Sequence, residues 1–197
     1  MIKLMNSVNR IDYKKLFPAL GVTETIHNAE EAVWLPAWSQ TAGVWHPPVG
    51  SFEFRFAVIT VTLVVYGLIY YFVRCDNKFA KYIMSGALVV ILFNVFVPHL
   101  TATVVLSQYA PGVISGVLLN IPVSIYLLRR GVTEGFFDAK TIVIGAIGFA
   151  AVMGPLLRFC SLSSHPLAYP IPRVFEVAWR AVHAGAALEL RMNPEHQ

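Results

Sequence analysis

Between Tyr82 and Leu128 the chain has no Asp, Glu, Lys or Arg. Charged residues make up 13% of the whole against 56% hydrophobic, and the mean hydropathy is +0.62. A soluble domain carries roughly 25% charged residues, so that class is a poor fit. Barrel strands would alternate polar and apolar residues over about ten positions, and the apolar runs here are longer and continuous. Cysteine is scarce: Cys75 and Cys160 fall where the chain would emerge at opposite membrane faces, so no disulfide is expected. A cleavable signal peptide is not expected either. Residues 1–15 carry Lys3, Arg10, Lys14 and Lys15, and no compact apolar core with a small-residue cleavage site follows. The net charge of +4 is spread over loop ends. That pattern suits topology and contact with membrane lipid headgroups, with no nucleic acid among the expected partners.

What the chain has is long apolar stretches. Phe56 to Val73 and Thr141 to Leu157 are uncharged. Tyr82 to Leu128 is far too long for one crossing, which takes about 20 residues. Gln108-Tyr109-Ala110-Pro111-Gly112 is the natural break, because Pro and Gly interrupt helices. Leu16 to Trp38 is the contested segment. It holds Glu24, Glu30, Glu31 and His27, each costing a few kcal/mol at a bilayer centre by order of magnitude. Its length is right, however, and Trp34 and Trp38 mark one end as Lys14 and Lys15 mark the other. The expected fold is therefore all-α: a polytopic transmembrane helical bundle of about five spans near 16–38, 56–73, 82–107, 113–128 and 141–157. A basic segment (1–15) precedes the bundle (16–158). A Pro-rich linker and an amphipathic C-terminal helix (159–197) follow, with Phe175, Trp179, Val182 and Leu190 on one side.

Loop charge orients the bundle. Arg74, Lys78, Lys81, Arg129, Arg130 and Lys140 fall on the side of the N-terminus, whereas the segments 39–55 and 108–112 hold only Arg55. By the positive-inside pattern the protein is expected in the cell membrane, a bacterial inner membrane, multi-pass with the N-terminus cytoplasmic. The tail arginines Arg158, Arg173, Arg180 and Arg191 run against it.

The polar residues within these apolar runs are the candidate site. Glu24, His27 and Glu31 recur at i, i+3 and i+7 with Glu30 beside them, so they share one face of a helix. At 1.5 Å per residue, Glu30 and Glu31 lie roughly 5–6 Å past the middle of the first span. His99 lies about 7 Å past the middle of the third, with Asn94 at its centre. The two spans run the same way, so the groups fall at matching depths. Two imidazoles and a carboxylate on facing helices form a credible ligand set for a divalent transition metal such as Zn²⁺. His27, Glu31 and His99 are the expected ligands. Glu30 is the expected general base, with Glu31 and Asn94 as further catalytic candidates. Plainer roles stand beside these. His27 and Glu31 form an i, i+4 pair able to neutralise itself; His99 could cap a carbonyl; Glu24 suits a supporting position; Asn120 suits helix-to-helix contact. His46 reads as a surface residue.

Three segments in order also carry a resemblance: His27-Asn28-Ala29-Glu30-Glu31 running on to Trp34, Pro36 and Trp38; Asn94 with Pro98-His99-Leu100; and Tyr109-Ala110-Pro111-Gly112 followed by Asn120-Ile121-Pro122. Together they resemble the HXXEE family of small bacterial integral membrane proteins, over about residues 20–130. The resemblance implies a multi-span membrane protein with an enzymatic or ion-binding site, and it names no substrate. A weaker likeness is to glutamate-type CAAX-processing intramembrane proteases, whose Glu-Glu pair is typically followed by an Arg four residues on. Here alanine, Val33 and Trp34 follow instead.

The function these residues favour is a metal-dependent membrane hydrolase acting on a lipid or membrane-embedded substrate. A metal-free glutamate-type hydrolase, a proton, ion or small-solute carrier, and a non-enzymatic accessory protein are the alternatives. Self-association of the chain is left open.

Overall fold

The computed structural model describes residues 11–162, with side chains described through Val152. The amphipathic helix expected near the C-terminus lies outside these residues. Five helices follow one another, and among the described residues there is no strand. They are α1 (Phe17–Ser39), α2 (Ser51–Arg74), α3 (Lys78–Leu106), α4 (Val113–Thr133) and α5 (Ala139–Leu162). Three of them, α2, α3 and α4, are long and apolar enough to cross a membrane. Their outward residues agree: Ile59, Leu63, Val104 and Leu118 are exposed, which suits lipid better than water. The contested segment is a continuous helix, α1. The last helix extends to Leu162, where the sequence predicts the start of a linker.

Local signals fix the ends. Asp12 caps the tight turn Tyr13–Leu16 by accepting from the Lys14 amide at 3.0 Å, and Pro18 opens α1 where no amide is needed. Asn77 caps α3 through the Ala80 amide at 2.8 Å, and Asp138 accepts from the Thr141 amide at 2.6 Å at the start of α5. Within α3, Val97 leaves helical geometry (φ −134°, ψ 114°) before Pro98, and the helix resumes to Leu106. This break falls between Asn94 and His99.

The helix α1 packs against α2 and α4, and α3 packs against α2, α4 and α5. At the end nearest Tyr13 the interior is apolar and tight, built from Tyr13, Phe17, Leu20, Phe72, Met84 and Leu127. The Tyr13 hydroxyl donates to the Leu127 carbonyl at 2.9 Å, so the phenol is buried with its hydrogen bond made. The α3–α5 contact is closer still. A Cβ on Gly86 would stand 2.1 Å from the Gly145 carbonyl oxygen, and one on Gly145 would stand 2.2 Å from that of Tyr82. Ser85 Oγ donates across the same seam to Thr141 O at 3.2 Å. Backbone meets backbone here, the close approach that small residues allow between membrane helices. Gly86→Val is accordingly expected to separate α3 from α5 and lower stability by about 1–3 kcal/mol or more, read as the midpoint of thermal unfolding in detergent.

Candidate functional site

The polar side chains collect at the other end, away from the aromatic core. Glu24, His27 and Glu31 are buried on one face of α1, while Val22, Ile26 and Val33 on its other side are exposed. Across from them the break at Val97 turns His99 inward, leaving it 4% exposed. The two imidazoles meet edge to face, with ring centroids 5.1 Å apart. His99 Nε2 stands 3.0 Å from Glu31 Oε1, and His27 Nε2 stands 3.7 Å from the same oxygen. One ligand atom from each of these three residues lies within 4.8 Å of the other two. Asn94 reaches the group as well, its Nδ2 3.2 Å from His99 Nε2.

Glu30 faces elsewhere. Its Oε1 accepts from the Tyr109 hydroxyl at 2.5 Å and the Gly112 amide at 2.9 Å. Its Oε2 accepts from the Ser115 amide at 2.8 Å and the Ser115 hydroxyl at 2.5 Å. Four donors from the α3–α4 connection thus converge on one carboxylate. Burial, and then the neighbouring Glu30, raise the Tyr109 hydroxyl above the usual phenol range, which keeps it a donor at neutral pH.

This clasp fixes a proton. Ser115 has one hydroxyl hydrogen, and it goes to Glu30 Oε2. Toward His27 Nδ1, at 3.1 Å, Ser115 Oγ can then only accept. His27 therefore carries a proton on Nδ1, and as a neutral imidazole it presents a bare lone pair at Nε2. That Nε2 is buried and has no hydrogen-bond partner. It faces the Glu31 carboxylate across 3.7 Å, one acceptor opposite another.

Gly112 seats the loop over the rings. Its φ is +91°, and a Cβ there would lie 2.8 Å from His99 Cε1 and 2.9 Å from His27 Cε1. One turn nearer the core, Asn120 Nδ2 donates to Glu24 Oε1 at 2.6 Å, joining α1 to α4. Asn28 Nδ2 donates to Thr62 Oγ1 at 2.7 Å, joining α1 to α2.

Beside the group lies a cavity of about 290 Å³. Glu24, His27, Asn28, Glu31, Asn94 and His99 make one wall. Ala57, Val58, Val61 and Val65 of α2 with Val90 and Ile91 of α3 make the other. His46 also lines it, half-buried beside Phe54 with ring centroids 6.4 Å apart, so it is not the plain surface residue its Pro-rich surroundings suggest. Of the residues singled out from sequence, His27, Glu31, Asn94 and His99 come together, and Glu30 is held next door. Ser115 carried no signal of its own, because a serine in an apolar helix is unremarkable until its partners are known.

An all-α bundle with membrane-length helices and a buried His/Glu group defines a class of small helical membrane proteins. The chain belongs to the family described as proteins of unknown function with an HXXEE motif, whose model matches residues 19–127. The motif itself is His27-Asn28-Ala29-Glu30-Glu31. A relative is the uncharacterized protein YrkK of Bacillus subtilis (strain 168), 38% identical over 134 residues, covering 68% of this chain and 85% of that one. No solved structure matches.

Proposed function

We propose that the protein is a metal-dependent hydrolase of the cell membrane, with His27, Glu31 and His99 holding a divalent transition ion such as Zn²⁺. The observation that carries this is the buried, unpartnered Nε2 of His27, held as a bare lone pair and aimed at a carboxylate oxygen. A proton on Nε2 would sit too far from Glu31 for a hydrogen bond. A small cation reaches both. The distances of 3.0 and 3.7 Å bracket the separation of about 3.3 Å between ligands 2.0–2.1 Å from a tetrahedral zinc. Two imidazoles with one carboxylate is a catalytic-type ligand set with a position left open.

When bound, such an ion polarises a carbonyl and lowers the pKa of water. The chain's own residues supply the rest. Ser115 and Glu30 orient His27 in the manner of a hydrogen-bonded carboxylate behind a metal-ligating histidine. The base role expected of Glu30 passes to Glu24. Glu24 lines the cavity, and Asn120 holds one of its oxygens, whereas both oxygens of Glu30 are engaged by the loop. The Asn94 amide faces the cavity and is placed to donate to a developing oxyanion. All five helices cross the membrane in this reading, with the N-terminus cytoplasmic. Turning Glu24, His27 and Glu31 toward partners inside the bundle is what makes α1 tolerable at that depth.

The test is elemental mass spectrometry on detergent-purified protein. Near-stoichiometric metal is expected in the parent, falling to background in folded His27→Ala and His99→Ala variants. Metal-free parent protein, with stability unchanged by chelators, would remove the proposal.

A further inference from the structure

The residues lining the cavity are of two kinds, polar from α1 and the middle of α3 and apolar chiefly from α2, and one of the polar ones, Asn94, is exposed. Glu24 and Leu35, eleven residues apart on α1, both line it, which gives a length of about 16 Å at 1.5 Å per residue. A volume of about 290 Å³ drawn out over that length is narrow, at the low end of the roughly 300–1,000 Å³ usual for ligand pockets. The wall from α2 is Ala57, Val58, Val61 and Val65 without one polar side chain, and α3 adds Ala87, Val90 and Ile91. Such a surface offers water or an ion no hydrogen-bond partner and suits hydrocarbon. Asn94 lies within a turn of the middle of the Lys78–Leu106 helix, lines the cavity, and is exposed. An exposed, cavity-lining amide at that depth fits entry from the side, at the level of the acyl chains.

We infer that the cavity takes a single-chain amphiphile from the bilayer. One unbranched acyl chain lies against Val61, Val90 and Ile91, and its polar head meets His27, Glu31, Asn94 and His99. This names the substrate class for the proposed hydrolase and rests on that reading only for what the head encounters; the fit of the chain stands on the apolar wall.

The experiment uses the full chain in lipid nanodiscs with a fatty acid bearing a mid-chain diazirine, and with the lysophospholipid made from it. After irradiation, the labelled peptides are mapped by mass spectrometry and metal content is measured on the same samples. Labelling is expected at Val61 and at Val90 or Ile91. It should fall by about tenfold or more when Val61→Trp fills the cavity, equivalent to a tenfold weaker affinity. Val90→Phe gives the same readout should Val61→Trp fail to fold, with thermal unfolding checking both. The two probes differ only in headgroup, and the one labelling more strongly identifies the source of the chain. Chelator-treated parent protein is expected to lose metal and keep the chain labelling, which separates failure of the metal proposal from failure of this one. Label confined to outward residues such as Ile59 and Leu63, unchanged by either cavity-filling variant, would overturn the inference.

Discussion

Gly112→Ala is expected to abolish the metal binding proposed for His27, Glu31 and His99 and to cost about 2–5 kcal/mol of stability. Two independent causes add. The backbone at Gly112 has φ +91°, where a side chain costs roughly 1–2 kcal/mol. The new methyl would also lie 2.8 Å from His99 Cε1 and 2.9 Å from His27 Cε1. Neither ring can retreat. His27 is anchored through Ser115, and His99 lies between Glu31 and Asn94. Overpacking a rigid site adds roughly 1–3 kcal/mol. Gly135 is the control. It too has positive φ (+74°), and nothing lies within 4 Å of the position its Cβ would take. Gly135→Ala should therefore show the backbone cost alone and keep its metal. Thermal unfolding and metal content on both variants separate the causes. Equal effects at the two glycines would mean that Gly112 is needed only for its φ, and that the rings do not depend on its lack of a side chain.

Much of this arrangement was legible in the sequence, for reasons that particular residues show. The helices were readable because uncharged runs ended at charged residues such as Arg74, Lys78, Arg129 and Lys140, and because Pro111-Gly112 broke the longest of them before α4. The matching depth of His27, Glu31 and His99 followed from helical rise, since α1 and α3 run the same way; their facing one another depends on the break at Val97, which only the fold shows. What sequence could not give was direction around a helix axis at one-residue resolution. Glu30 and Glu31 are adjacent, so they point about 100° apart on a helix of 3.6 residues per turn. One enters the cluster and the other the α3–α4 loop. Which does which depends on the rotation of α1, set by Phe17 and Leu20 in the core at the far end. The clasp itself was invisible. Two of its four donors are backbone amides, which every residue possesses. His46 was misjudged for a related reason: its neighbours Pro47, Pro48 and Gly50 speak of a loop, and only the fold shows that the loop lies at the cavity.

The clasp yields the other large effect. Glu30→Gln changes one oxygen to an amide nitrogen and hardly alters volume, yet it is expected to destabilise by about 1–3 kcal/mol. Four groups donate to Glu30: the amides of Gly112 and Ser115, and the hydroxyls of Tyr109 and Ser115. A glutamine must turn its NH₂ toward one of these pairs; the hydroxyl there can rotate to accept, but the backbone amide is left donor against donor. Each buried group left unsatisfied costs about 1–3 kcal/mol. Asp138, which accepts from the Thr141 amide on the protein surface, offers the contrast: in Asp138→Asn the side-chain carbonyl oxygen still accepts from that amide, and the new NH₂ faces water. Ser115→Ala separates the clasp from the tautomer it sets. The Ser115 amide still donates to Glu30, so the loop stays held, while His27 Nδ1 loses its acceptor. That variant should still fold, at a cost of about 1–3 kcal/mol for the buried Nδ1 left unsatisfied, and bind metal about 10–100-fold more weakly, the usual effect of losing a partner behind a ligating histidine. Titration with Zn²⁺ of chelator-treated protein measures it. Unchanged affinity in folded Ser115→Ala would show that nothing about His27 depends on its proton being held on Nδ1. The bare Nε2 would then lose its standing as the feature that selects a cation.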